Sequence, residues 1–404
     1  MTIKSINKKI CIVTQSHLSR NPRVVKEAIS LSRAGYSVTI LTSIYDNSLL
    51  QQDLALLKGE TIEVRLISDL SKRNYRSLID RSKRKFAMII KKWCDFESPH
   101  ALGYGINRYL KACLNLRADL YICHQEAATY IGNQLMAKGL KVAYDFEDWY
   151  STDLLPRARA KRPLRLLRKI EENAIQNGLF SYTASHALAT AFEKTYHGKK
   201  PHVIYNVFPK PTGLNEIKKI GNGKINTFWF SQVVGQGRGI ETFIKLINFF
   251  KQGIAVHLLG DISPDFKSLL MHSIVKKHDI VFHKMVTPEE LPIVIARFDI
   301  GLALENNMPV SRNLTITNKF FQYLQSELPI ICSPTDGQLE IFNLNSPGYC
   351  LSSEITETEA LKLEEWLQSA QNLADAKRNA QLVAEVYNWQ NEEKKLTELI
   401  ESYI

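Results

Sequence analysis

Between Asp299 and Pro334 the chain reads as a strand, a loop, a helix and a second strand, and this order limits the fold more than any other stretch. Ile300 to Leu304 is an apolar run of strand length. Glu305 to Thr317 is a polar loop. Phe320, Phe321 and Leu324 then recur at helical spacing behind a Thr317 or Asn318 cap, and Ile330 to Cys332 is the next strand. Parallel strands need such a crossover, and it aims the helix N-terminus at the carboxyl ends of the strands. Free N–H groups make that end an anion site. Lys319 sits in the first turn, where a cation opposes the helix dipole, so its placement points to a bound negative ligand.

The same alternation fills the rest of the chain. Lys9–Thr14, Tyr36–Thr42, residues 61–68, Asp119–His124, Val142–Asp145 and Ser181–Ser185 read as strands, most of them separated by helical stripes. Asn226–Ser231, Ile254–Gly260 and Val281–His283 follow in a second series after the Pro209 and Pro211 linker. The predicted class is α/β with two domains, which 404 residues accommodate. Thr287-Pro288 reads as a helix start, and Gln390 to Tyr403 as a final amphipathic helix. Lys8-Lys9 precede only four apolar residues, and no apolar run approaches the ~18–20 residues that span a bilayer, so a cytosolic location is expected. The six cysteines show no paired spacing and are expected to be buried free thiols.

Candidate ligand-binding residues fall where strands end. The first loop carries His17, Arg20 and Arg23 but no Gly-rich dinucleotide fingerprint. Two readings fit it: a phosphate or acceptor-sugar site, or a solvated loop and helix face. His124 and Glu126 close one strand. Asp145, Glu147, Asp148 and Asp153 crowd the end of the next, beside Trp149 and Tyr150, a sugar-stacking surface; the acids read either as acceptor-binding or basic groups or as loop caps. VGQGRG, Val234 to Gly239, is a Gly-rich turn that opens a helix, where backbone amides and Arg238 suit a phosphate. Gly260 ends the following strand.

A net charge of +11 implies anionic partners. Much of it lies in residues 72–93, nine cations against Asp80, interleaved with Leu78, Ile79, Phe86, Met88, Ile89, Ile90 and Trp93. A basic amphipathic helix of this kind reads either as a contact to an anionic membrane surface or as a solvated helix packed by its apolar side. A second basic run, Arg157 to Lys169, extends the same character. No nucleic-acid-binding module is recognisable, and nucleic acid is not an expected partner.

Residues 21–42, 144–153, 181–209, 233–243, 298–333 and 387–393, in this order and spacing, resemble the GT-B-fold glycosyltransferases, specifically the large retaining group that uses nucleotide-sugar donors (glycosyl transferases group 1, family 4-like). The resemblance implies two Rossmann-like domains facing across a cleft: an acceptor domain over 1–207, a donor domain over 208–386, and a helix over 387–404 crossing back to the first. It implies donor contacts from Gly235, Gly237, Arg238, Gly239, Gly260, Glu305, Arg312, Asn313, Thr317, Asn318, Lys319 and Gln322. His124, Glu126, Asp145, Glu147 and Asp148 are then the catalytic-side candidates, with acceptor contacts from His17, Arg20, Arg23 and Trp149. A glycan or lipid-linked acceptor and a role in bacterial surface-polysaccharide assembly are implied too, and the 72–93 segment, read as a membrane contact, suits that setting as a peripheral attachment to the inner face of the cytoplasmic membrane. The nucleotide sugar is a co-substrate. No cofactor is expected, and without an Asp-x-Asp motif no metal. Two features depart from the pattern: the usual Glu pair is replaced by Leu314 and Gln322, and a usual basic residue by Gln232. A sugar-nucleotide epimerase-like enzyme and a non-catalytic membrane-associated scaffold are the competing classes.

Overall fold

The computed structural model describes residues 8–214 and 217–404. It contains two all-parallel sheets. The first runs β3-β2-β1-β4-β5-β6-β7. Its strands are β1 (Lys9–Val13), β2 (Ser37–Ile44), β3 (Ile62–Asp69), β4 (Leu120–His124), β5 (Val142–Phe146), β6 (Phe180–Thr183) and β7 (His202–Val203). The second runs β10-β9-β8-β11-β12-β13. It is built from β8 (Asn226–Val234), β9 (Ala255–Ile262), β10 (Asp279–His283), β11 (Ile300–Ala303), β12 (Ile330–Cys332) and β13 (Gly348–Cys350). Helices cover parallel sheets on both faces, so their central strands carry near-continuous apolar runs. Ile10, Ile12, Leu120, Ile122, Ile300, Leu302, Ile330 and Ile331 are all fully buried.

The chain divides into two compact units, residues 1–204 with 393–404, and residues 205–392. The C-terminal segment belongs to the first unit. There Ser30 Oγ donates to Glu393 Oε2 at 2.8 Å, and Tyr403 stacks on Phe180 with ring centroids 4.6 Å apart. Its apolar stripe, Leu396 and Ile400, is fully buried.

Local structure departs from the sequence reading in two places. Thr287–Glu290 forms a turn in which Thr287 N–H and Oγ1 both donate to the Glu290 carboxylate, and the helix begins only at Leu291. The loop after β11 holds a short helix, Val310–Leu314, anchored by buried Ser311 and Leu314. A polar run of that length carries no helical period, and this turn forms because tertiary burial selects it.

Candidate functional site

In the first unit, strand register places His124, Asp145 and Tyr182 side by side. His124 is paired with Asp145 across β4 and β5, and Asp145 with Tyr182 across β5 and β6. Residues in register share a sheet face. The Pro22–Arg33 helix turns Arg23 and Glu27, one helical turn apart, onto the same group. Arg23 Nε donates to Asp145 Oδ2 at 2.6 Å and lies 3.2 Å from Glu27 Oε1, and its Nη1 donates to the Ile204 carbonyl at 2.8 Å. Tyr182 Oη donates to Glu27 Oε2 at 2.7 Å. His124 stands between the carboxylates, with Nε2 3.1 Å from Glu27 and Nδ1 2.9 Å from Asp145.

Arg23, Glu27, His124 and Asp145 are wholly buried. Burial alone would lower the His124 pKa, but Glu27 and Asp145 outweigh it and hold the imidazole well above its ordinary value. Burial would raise Asp145, yet Arg23 and His124 keep it below the usual carboxylate range. The four wholly buried groups are thus two cations and two anions, with the Glu147 carboxylate acting on them from the rim. Glu27, His124 and Asp145 also have ligand atoms within 4.8 Å of one another, but the Arg23 guanidinium already supplies the positive charge a metal ion would bring. At the rim, Glu147 is partly exposed, with Oε1 3.9 Å from His124 Nδ1, and Asp148 is exposed. Burial and the charge of Arg23 lower Lys26, on the same helix, to about 7.

The other first-unit candidates are scattered around this set. His17 is pinned from both sides: Nδ1 donates to Asp53 Oδ2 at 2.6 Å, while Nε2 accepts the backbone N–H groups of Tyr45 and Asp46 at 2.9 and 3.1 Å. With both nitrogens used, it holds the loop together. Arg20 is exposed. Glu126 pairs with Arg162. Trp149, read as a stacking surface, is buried against Phe192, and its Nε1 donates to Tyr196 Oη at 3.2 Å.

The second unit has the opposite electrostatic character. β8 bulges between Phe230 and Val233 and runs into the Gly235–Gly239 turn. Gly260 passes this bulge because a Cβ there would lie 2.1 Å from the Ser231 carbonyl oxygen, so its role is close backbone approach. Gly239 caps the Ile240–Ile247 helix at φ 87°, and a Cβ on it would lie 2.8 Å from Leu304 Cβ. The Gly237 carbonyl accepts from Asn306 Nδ2 at 2.8 Å and Arg312 Nη1 at 3.4 Å, and Arg238 Nη1 donates to Ser231 Oγ at 2.9 Å.

Lys319, in the first turn of the Asn318–Gln325 helix, is only 7% exposed. Its Nζ donates to Glu305 Oε1 at 3.3 Å and Thr317 Oγ1 at 3.2 Å, and lies 5.3 Å from the Trp229 ring centre. Burial lowers its pKa, Glu305 resists, and the nearby charges of Arg238 and Arg312 lower it further. Three cations therefore share the field of one carboxylate. Asn313 is turned away, exchanging bonds with the Asp336 side chain and N–H, and Asn318 Oδ1 accepts from Asn206 at 3.1 Å. Gln322 is half-buried and Leu314 buried.

Sucrose-phosphate synthase from Thermosynechococcus elongatus aligns over 98% of this chain and 99% of its own, with TM-score 0.68 and 12% identity. The fold is GT-B. HepE from Anabaena, solved with UDP and glucose, matches this GT-B chain over 98% of its length and all of its own, at TM-score 0.65 and 15% identity. A mutant of S. aureus TarM, solved with Fondaparinux, alpha-GlcNAc-glycerol and UDP, matches over 97% and 99% of the two chains, at TM-score 0.64 and 9% identity. No protein-family model matches, and no curated protein sequence does. Within the GT-B frame the residues that sequence reasoning missed are Glu27, Lys26 and Tyr182 in the first unit and Trp229, Ser231 and Asn306 in the second. The Arg23–Glu27 spacing of one helical turn was the only local signal among them.

Proposed function

We propose that this chain is a metal-independent, retaining glycosyltransferase. It would move a sugar from a nucleotide-diphosphate sugar to a lipid-linked or glycan acceptor, in surface-polysaccharide synthesis at the inner face of the cytoplasmic membrane. One observation carries the reading. Arg238, Arg312 and Lys319 gather around Glu305, beside a Gly-rich turn that follows a parallel strand and whose Gly237 N–H is held by Glu241, so three cations face two carboxylates. That surplus suits a diphosphate. UDP in the HepE and TarM structures makes uridine nucleotides the first probes.

When the bond from the anomeric carbon to the phosphate oxygen breaks, its electron pair stays on the diphosphate. The three cations meet that charge as it develops. The acceptor hydroxyl adds to the anomeric carbon on the same face, and its proton passes to the departing phosphate oxygen. In this reading Glu147 and Asp148, which reach solvent, orient the acceptor. His124 and Asp145 act behind them as positioning groups, and no cofactor takes part. The substitution of the Glu pair by buried Leu314 and neutral Gln322 favours a second reading, a non-catalytic scaffold.

Titration calorimetry with UDP, in chelator and in magnesium, separates the two. The transferase reading expects equal binding in both conditions, weakened in Arg238→Ala and Lys319→Ala, and turnover of a UDP-sugar by the parent. Unchanged affinity in both variants removes this donor site. Binding without any donor turnover, across a panel of UDP-sugars and acceptors, favours the scaffold.

A further inference from the structure

The Tyr75–Cys94 helix half-buries Ile79, Met88 and Ile90 but leaves most of its large apolar side chains in solvent. Its buried side is Ser77, Asp80 and Ala87, with Asp80 paired to Arg108 and accepting from Ser68 Oγ at 2.6 Å. Its exposed side carries Tyr75, Leu78, Phe86, Ile89 and Trp93, one stripe at helical spacing, with Trp93 77% and Phe86 64% exposed. A helix packed on a folded unit ordinarily buries such a stripe, and an exposed one marks an interaction surface. Arg76, Arg81, Lys83, Lys85 and Lys92 flank it, all exposed, and the one acid of the helix is the buried Asp80.

The fold also delivers the second basic run to the same place. Lys91 Nζ donates to the Ala160 carbonyl at 3.1 Å, Arg165 pairs with Asp95 at 2.8 Å, and Glu97 Oε2 accepts the Leu166 N–H at 2.6 Å. Exposed Arg157, Lys161 and Arg168 thus continue the basic surface beyond the C-terminal end of the helix.

We propose that this face docks on an anionic lipid bilayer. The helix lies in the interface plane with its aromatic and aliphatic stripe at the boundary of headgroups and acyl chains, and its flanking cations meet lipid phosphates. Charge complementarity selects this occupant. A second copy laid face to face would bring like charges together, and a nucleic acid would leave the apolar stripe in water. The proposal deepens the lipid-linked acceptor reading, on which it rests for its setting.

Vesicle flotation of the full chain tests it, with phosphatidylcholine alone against the same lipid with about 30 mol% phosphatidylglycerol. Binding is expected only to the anionic vesicles, with quenching of Trp93 by brominated acyl chains. Phe86→Asp combined with Ile89→Asp, both exposed, should lower vesicle affinity at least about tenfold while the melting curve and its shift by UDP stay unchanged. The proposal is overturned if the parent ignores anionic vesicles, if the double variant binds as the parent does, or if the parent is a dimer that the variant dissociates. Anionic-vesicle binding without a UDP shift supports docking and counts against the transferase reading instead.

Discussion

Replacing Arg23 with methionine keeps the length and the apolar stem of the side chain and deletes its charge. Glu27 and Asp145 then keep His124 as their one ion-paired cation, with Lys26 beside them. Removing one partner of a buried charge pair costs about 3–5 kcal/mol, because the remaining charge keeps its desolvation penalty. For a unit of 150–250 residues each kcal/mol moves the melting point by about 2–4 °C, so the first unit's transition should fall by roughly 6–20 °C. Scanning calorimetry of the full chain measures it. Arg23→Met with Asp145→Asn restores one cation to one anion, and should cost at least about 1 kcal/mol less than the two single losses summed. His124 adds a pH signature. Its folded pKa is raised, so its contribution is complete below the ordinary imidazole value near 6.5 and is lost as pH rises through the higher folded value. His124→Gln should flatten that alkaline decline. A melting point lowered by less than about 3 °C in Arg23→Met, together with strict additivity in the double variant, would refute the buried charge set.

Arg238→Ala and Lys319→Met should each weaken UDP binding about ten- to a hundredfold by calorimetry, the value of a charge-assisted contact. Gly239→Ala should destabilise the second unit by about 1–3 kcal/mol, read as a lower melting point, and weaken UDP binding with it, since alanine suits neither φ 87° nor a 2.8 Å approach to Leu304. Glu171 accepts from Ser151 N–H and Tyr196 Oη, and burial pushes it up to about 7. Its stabilising effect is complete below the ordinary carboxylate value and lost as pH rises through that number. Glu171→Gln should therefore melt above the parent at about pH 8, with the gain vanishing near about pH 5.

The crossover from Asp299 to Pro334 was legible because its strands are buried and its helix carries an apolar face. Ile300, Leu302, Phe320, Phe321 and Leu324 are each at most 1% exposed. The acids after β5 were visible as a cluster, but which of them point inward was not. Strand pairing decides that: Asp145 is buried against His124 and Arg23, Glu147 stands at the rim and Asp148 is outside. His17 resembled a ligand-binding residue because its partner, Asp53, lies in another helix. Trp149 resembled a stacking platform because Phe192 and Tyr196, which enclose it, come from a helix much further along. In the 72–93 segment the amphipathic pattern was plain, but only the fold tells which side faces out.

The two units place charge at comparable sheet ends to opposite effect. In the first, Arg23 and His124 face Glu27 and Asp145, with Lys26 and Glu147 beside them, and this mutual pairing fixes the ends of β4 and β5 and the loop bearing Glu147 and Asp148. In the second, Lys319 is buried with one carboxylate and two further cations nearby, and its ammonium is disfavoured. A diphosphate beside it would supply the missing negative charge and raise its pKa again. Binding should then take up a proton fraction that grows toward alkaline pH. Calorimetry of UDP binding at about pH 9, in two buffers of different ionisation enthalpy, should give different observed heats for the parent and equal heats for Lys319→Met. Equal heats in the parent would mean that Lys319 is already fully charged without ligand. Buffer dependence surviving in Lys319→Met would move the proton to another group, and in either case the surplus of cations around the Gly235–Gly239 turn would lose its link to the nucleotide.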